Sequence, residues 1–433
     1  MASNGDGNGK AWLNEVISTP MNPSIRSGMG RLVVLAAALV AAGCQLTRPV
    51  EPPPPPPPAP PPIEAPLAMH KFRFDPAHDE VVGEIQITHV QGEDTLSDIA
   101  RRFNVGYEEI LRANPGVDPW LPGVGREIVV PTRFVLPDAP REGLVVNLAQ
   151  LRVYYFPKPP KLKKGEVDDG MRTVITHPIG IGKIGWQTPE GSTKVVGKQK
   201  NPTWTPPLSV RKEHKEAGDP LPARVPPGPD NPLGAFKLTL GWPSYLIHGT
   251  NKPYGVGMRS SHGCIRFYPE DISHLYELVP VGTKVTVVNQ PFVFGWQNDA
   301  MYVQVVPVLE DDEREHPKGA QELLTAGISE KLSQKLQEHG ASVDLELLNQ
   351  IIAKPRGIAM PISRRDVTVE SYLAKARHVE NRVPDGATWN YTEEGLFFAE
   401  EFEAVRDGKP LPKKNPPKTN KTAAKPAGAA SGS

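Results

Sequence analysis

The sequence predicts a mainly β protein, with a β-sandwich domain at its centre, a small β-α-α-β unit before it and a helical extension after it. Three patterns predict this. Between residues 142 and 290, short apolar runs alternate with Gly/Pro turns, as in sandwiches and barrels. Residues 83–134 run strand, capped helix, helix, strand. From residue 319, apolar side chains recur at helical spacing. The length of 433 residues suits about three folding units of roughly 150 residues. Lys+Arg and Asp+Glu both number 49, so the formal net charge is zero. A nucleic-acid binder would carry a strongly basic domain, and no nucleic-acid partner is expected. Two cysteines, Cys44 and Cys264, exclude a disulfide framework and a four-cysteine zinc site. Each cysteine therefore needs its own explanation.

Residues 1–44 read as a signal peptide. Leu32 to Val40 are all apolar, too few for a membrane-spanning helix of roughly 20 residues. Arg26 and Arg31 precede them as a basic flank. Ala41-Ala-Gly43 before Cys44 resembles a bacterial lipobox, although Ala41 stands where leucine is usual. That resemblance implies lipidation of Cys44, and Gln45 behind it implies the outer membrane. Met29 or Met21 is the expected translation start, because Met29-Gly-Arg31 makes an ordinary short basic region. Proline makes up 50 of 433 residues and is concentrated in 45–82, around Val50 to Pro66. Proline fixes φ and lacks an N–H, so 45–82 is expected to be a stiff linker at about 3.1 Å per residue.

In 83–134, Glu84–Val90 alternates like a strand, and Thr95-Leu-Ser-Asp98 matches a capping box before Ile99, Ala100 and Phe103. Tyr107–Ala113 is a second short helix, stopped at Asn114-Pro-Gly116. Glu127–Val130 returns as a strand. Gly92–Val105 and Ile110–Pro131, taken in this order of elements, resemble a LysM module. The resemblance implies binding of the N-acetylglucosamine-containing glycan of peptidoglycan. A packing domain without glycan affinity is the alternative.

In 142–290, Gly143–Phe156 reads as two strands around a turn at Asn147–Gln150. Further strands fit Arg172–Ile179, Ser192–Val196, Ala235–Leu240, Tyr245–Ile247 and Thr283–Val288, and helix is expected only at Glu270–Leu278. The chemistry gathers at two places. His248 ends the strand Tyr245–Ile247. Twelve residues separate it from Ser261-His-Gly-Cys-Ile-Arg266. A lone cysteine near histidines is a candidate nucleophile, because its thiolate attacks carbonyls and a histidine can take its proton. Gly263 beside it lets substrate approach the backbone and leaves N–H groups free for an oxyanion. A zinc site on His248, His262 and Cys264 is a rival, but the spacing equally suits nucleophile plus base and the loop holds no acidic residue. No metal or cofactor is expected.

A histidine, a spacer, then Ser-His-Gly-Cys, an apolar residue and Arg is similar to the motif of the L,D-transpeptidase (YkuD) catalytic domain, in particular the periplasmic ErfK type of Gram-negative bacteria. Pro178–Lys183, Pro202–Pro206, Pro227–Gly234 and Ile247–Asn251 support the resemblance over about Gly143–Asn289. It implies a YkuD-type β-sandwich, with Cys264 as nucleophile and His248 as proton acceptor and donor, held by a backbone carbonyl such as that of Gly249. It implies that His262 supports the thiol and that Gly263 and Cys264 supply the oxyanion hole. Arg266 either engages a substrate carboxylate or holds the loop. Gly249 is also expected among the substrate-binding residues, Tyr254 and Trp204 either line the substrate cleft or simply pack, and Ser261 is structural. The implied reaction is attack on the diaminopimelate–D-alanine bond of a peptidoglycan tetrapeptide stem, then transfer to an acceptor amine. A second stem gives a 3→3 crosslink, an outer-membrane protein becomes tethered, and water gives carboxypeptidase activity. The implied location is the periplasm, as an outer-membrane lipoprotein. A non-catalytic wall-anchoring protein is the competing class.

Residues 291–318 read as the ErfK-type extension, with a strand pair over Pro291–Val308 turning near Gln297–Asp299. Residues 319–405 read as helical, over Gly319–Ile352 and again over Val369–Val383, as an accessory packing region. Residues 406–433 carry seven Lys/Arg and one Asp and read as a disordered basic tail.

Overall fold

The computed structural model describes residues 64–327, 330–385 and 387. The expected signal peptide, Cys44, most of the proline-rich run and the basic tail lie outside the described residues. In chain order the described elements begin with β1 (His70–Phe74), β2 (Val81–Gly83), β3 (Gln86–His89), α1 (Leu96–Arg102), α2 (Tyr107–Ala113), β4 (Glu127–Val130) and β5 (Arg133–Val135). Next come β6 (Gly143–Asn147), β7 (Arg152–Phe156), β8 (Arg172–Pro178), β9 (Ile181–Gly182), β10 (Gly191–Lys200), α3 (Leu208–Glu216), β11 (Phe236–Leu240), β12 (Leu246–His248), β13 (Arg259–Ser261), β14 (Ile265–Arg266), α4 (Pro269–Leu278) and β15 (Lys284–Val288). The last are β16 (Phe292–Gln297), β17 (Ala300–Val305), α5 (Ala320–Gly327), α6 (Glu330–Glu338), α7 (Leu345–Ala353), β18 (Met360–Pro361), α8 (Val369–Leu373) and β19 (Arg377–His378).

A nine-stranded sheet in the order β1-β8-β7-β6-β15-β10-β11-β12-β14 forms the central domain. It curls because β10 serves both halves. Gly191–Lys194 pairs with β15 and Val195–Lys200 with β11, with the register broken between Val195 and Gly197. An irregularity of this kind lets a long strand bend. The halves enclose one core: Leu144, Val146, Val153 and Ile175 face Leu238, Leu240, Ile247 and Ile265, closed by Ile272 and Leu275 of α4.

Three expectations need correction. The linker assigned to 45–82 ends earlier: Glu64 bridges Val379, and β1 adds an edge strand to the central sheet from His70↔Thr176 to Phe74↔Arg172. Its partner lies far along the chain, so a five-residue run beside proline carries no local mark of it. Helix in the central domain is not confined to 270–278, because α3 stands in the segment between β10 and β11. Only Val210 of that helix is buried, so it shows no apolar stripe. The region 319–405 is not purely helical. Helix α8 stops at Leu373, and β19 pairs in parallel with β3, Arg377↔Gln86 and His378↔Ile87. The open edge of β3 supplies backbone partners that outweigh the weak helical spacing over 369–383.

The small unit folds as its sequence signals indicate. Thr95 Oγ1 accepts from Asp98 N–H at 3.2 Å, and Asp98 Oδ2 accepts from Thr95 N–H at 2.8 Å. The apolar face of α1 (Leu96, Ile99, Ala100) packs with Phe103, Ile110, Ile128 and Val130. The hairpin β16–β17 turns at Asn298 and Asp299, with φ of 47° and 57°. Two left-handed residues match the twist of the flanking strands.

The unit is bolted to the central domain through charged groups. Glu109 accepts from Gly106 N–H at 2.6 Å at the start of α2. The same carboxylate accepts from Arg152 Nε at 2.8 Å and Nη2 at 3.0 Å. Asn104 Nδ2 donates to Asp271 of α4 at 2.7 Å, and Arg101 pairs with Glu270 at 2.9 Å. Gly257 has a φ of +82°, and a Cβ there would lie 2.3 Å from Gly106 Cα, so the backbones touch directly. This contact anchors the segment leading into β13 and Cys264.

Candidate active site

Cys264 lies between β13 and β14, partly buried. The loop is tied from inside. Ser261 Oγ donates to the Cys264 carbonyl at 2.6 Å, and Thr188 Oγ1 donates to the Gly263 carbonyl at 2.9 Å. Gly263 has a φ of +96°, a region that favours glycine, and a Cβ there would stand 3.0 Å from the Tyr245 ring. Among the described residues, the backbone N–H groups of Gly263 and Cys264 meet no acceptor. They are available to an incoming oxyanion.

His248 ends β12, which runs parallel to β14 with Ile247↔Ile265 and His248↔Arg266 in register. That pairing brings the histidine strand beside the cysteine loop. His248 Nδ1 sits 2.6 Å from the Gly249 carbonyl, so Nδ1 carries the proton and Nε2 keeps its lone pair. Burial pulls the His248 imidazole down to about 3, the charge of Arg266 adds to this, and the Gly249 carbonyl opposes it. Burial pushes the Cys264 thiol up, while a backbone hydrogen bond from Leu246 and the charge of Arg266 pull the other way. Both shifts favour the neutral forms, a thiol whose Sγ donates to the Ser244 carbonyl at 3.6 Å and a neutral imidazole.

The other expected residues divide. His262 turns its Nε2 to Glu213 Oε2 at 3.1 Å and its ring edge-on to Trp186 at 4.9 Å. Burial lowers its pKa, Lys183 adds to this, and Glu213 opposes it. The backbone of Arg266 exchanges two bonds with Gly180, both 2.8 Å, and its Nη1 donates to Ser260 Oγ at 3.2 Å. Its contacts are therefore with the loop, yet Nε is buried without a partner and keeps donor capacity. Tyr254 packs with Tyr107 and Met258 where the small unit meets the central domain. Trp204 exchanges backbone bonds with Val225 at 2.9 and 2.8 Å, within the segment that carries α3. Gly249 contributes its carbonyl to His248. The donor atoms of His248, His262 and Cys264 do not gather as a metal-ligand set; among the described residues, only those of His89, Glu127 and His378 come together.

Lys183 and Glu213 escaped sequence reasoning. Lys183 Nζ pairs with Glu213 Oε1 beside His262. Lys183 closes the quoted run Pro178–Lys183, and Glu213 lies in the polar stretch Arg211–Glu216. Neither stretch marks a partner thirty positions away. Thr188 was missed for the same reason.

A model of the L,D-transpeptidase catalytic domain matches residues 141–287, and a LysM domain model matches residues 88–131. "Probable L,D-transpeptidase YcfS" of Escherichia coli K12 is 37% identical over 312 residues, 71% of this chain and 92% of that protein. "Probable L,D-transpeptidase YbiS" of the same strain is 42% identical over 229 residues, 52% of this chain and 71% of that protein. "Probable L,D-transpeptidase ErfK/SrfK" of Salmonella typhimurium LT2 is 42% identical over 227 residues, 52% of this chain and 70% of that protein.

Proposed function

The chain belongs to the L,D-transpeptidase family, and from that premise we propose that Cys264 is its nucleophile and His248 its general base and acid in peptidoglycan acyl transfer. One observation carries this reading. Gly249 holds Nδ1 of His248 and leaves Nε2 as the basic nitrogen, on a strand paired to the one that follows Cys264. The thiol and imidazole start neutral, so the proton moves from Sγ to Nε2 as the sulfur attacks the carbonyl of the third stem residue, diaminopimelate. The Gly263 and Cys264 N–H groups receive the oxyanion. Collapse breaks the bond to D-alanine, whose amine leaves with the proton from His248, and a thioester stays on Cys264. An acceptor amine then attacks the thioester and gives a proton to His248. The sulfur leaves and regains that proton. Ser261 and Thr188 hold the loop, and Arg266 ties it to Gly180.

The acceptor is a second stem peptide, giving a 3→3 crosslink, or the amine of an outer-membrane protein, with water as the hydrolytic alternative. The LysM domain supplies affinity for the glycan. The site of action is the periplasm, with Cys44 as the lipid anchor, a reading supported by the apolar run before Cys44 and the proline-rich spacer after it. No described helix is long and apolar enough to cross a membrane.

Incubating the protein with a disaccharide-tetrapeptide and following both by mass spectrometry tests the reading. The expected result is an acyl adduct on Cys264 with D-alanine released, and neither with Cys264→Ala or His248→Ala. Dimeric muropeptides identify a stem acceptor, and adduct without dimers points to a protein acceptor. Folded protein that forms no adduct and releases no D-alanine would leave only a wall-binding protein.

A further inference from the structure

Three polar side chains from separate segments meet beside the nucleophile loop. Lys183 follows β9, Glu213 lies on α3, and His262 stands two residues before Cys264. Lys183 Nζ pairs with Glu213 Oε1, and Glu213 Oε2 lies 3.1 Å from His262 Nε2. The backbone fixes the lysine in place: its N–H donates to the Ser261 carbonyl at 2.9 Å. Trp186, edge-on to His262, forms an apolar wall. The side chains of Lys183 and Glu213 are 34% and 38% exposed, so solvent and a ligand reach both. An ion pair this open adds little stability, which gives no reason for its position against the catalytic loop.

We propose that Lys183 and Glu213 form a binding subsite for a zwitterionic side-chain end, an amine and a carboxylate on one carbon. The Lys183 ammonium takes the ligand carboxylate, and the Glu213 carboxylate takes the ligand ammonium. In the free protein the two groups satisfy each other. The ligand replaces each partner with one of the same charge, so no ion is stranded. Glu213 keeps His262 as its second partner, which ties the subsite to the loop of Cys264. The inference rests on the transpeptidase reading above. There the donor residue is diaminopimelate, whose far end is such a centre, three methylene groups from the centre whose carbonyl is attacked.

The test is single-turnover acylation of the full chain, read as D-alanine release. The stems compared are the native one, one amidated at the far carboxyl and one acetylated at the far amine. Each modification is expected to slow the wild-type protein by about tenfold, the loss of one charged hydrogen bond. Lys183→Met is expected to slow the native stem similarly and to erase the penalty of amidation. Glu213→Gln is expected to erase the penalty of acetylation. The exchange Lys183→Glu with Glu213→Lys keeps the ion pair and guards against loss of the fold; it is expected to remain slow on the native stem. Wild-type discrimination retained in the single variants, or an exchange variant as fast as wild type, overturns the subsite alone. No acylation of any stem by the wild-type protein overturns the transpeptidase reading, and the subsite with it.

Discussion

Arg152–Glu109 and Lys183–Glu213 are both ion pairs that join segments far apart in the chain, and they stand in opposite surroundings. The first is sealed: its side chains are 1% and 9% exposed, and the guanidinium also donates to the Asn104 carbonyl at 3.1 Å. The second opens to solvent beside the loop of Cys264. A buried ion that loses its partner keeps its desolvation penalty, whereas an exposed one is taken up by water. The sealed pair therefore serves the architecture, holding the LysM domain against the sheet. The open pair is free to change partners.

The largest expected effect breaks the sealed side. Arg152→Ala leaves the Glu109 carboxylate buried and uncompensated, and is expected to cost about 3–5 kcal/mol in urea unfolding. The double change Arg152→Met with Glu109→Leu should recover much of that loss, because no charge is then stranded. Little recovery would mean that the pair does more than neutralise itself.

The intermediate effect is acid sensitivity at His248. His248 is held near 3 in the fold, against roughly 6.5 when unfolded. Between these values the unfolded chain binds the extra proton, so stability falls as pH falls. From pH 7 to pH 5 the loss assigned to His248 is on the order of 2 kcal/mol. His248→Gln should flatten that slope by this amount. Buried His70, also held well below its ordinary value by burial, pushes in the same direction and stays as background.

The smallest effect is on the open side. Glu213→Gln should change unfolding stability by less than about 1 kcal/mol, while altering acylation as set out above. A loss comparable to that of Arg152→Ala would erase the distinction between the two pairs.

Much of the candidate site was legible because its motif is written locally. Ser261-His-Gly-Cys264 is contiguous, and His248 closes a strand. The capping box at Thr95 and Asp98 is a three-residue step, and the turn at Asn298-Asp299 needs only its own two residues. Strands β1 and β19 were not legible, because each is a short run whose only partner is a distant sheet edge. Helix α3 was missed because it buries one side chain.

The sequence by itself determined the mainly β class, the order of the two domains, and the pairing of a strand-ending His248 with the run Ser261-His-Gly-Cys264 as the candidate site. These depend on residue type and short spacing, which act through local geometry. Only the tertiary structure decided that the chain before the LysM domain and the chain near 377 return as strands. It alone decided that Glu109 and Arg152 meet inside, and that Glu213 reaches Lys183 and His262. Such pairings form where the packed core brings distant segments together, and the energy that selects them is burial and partner satisfaction, which no short stretch of sequence contains.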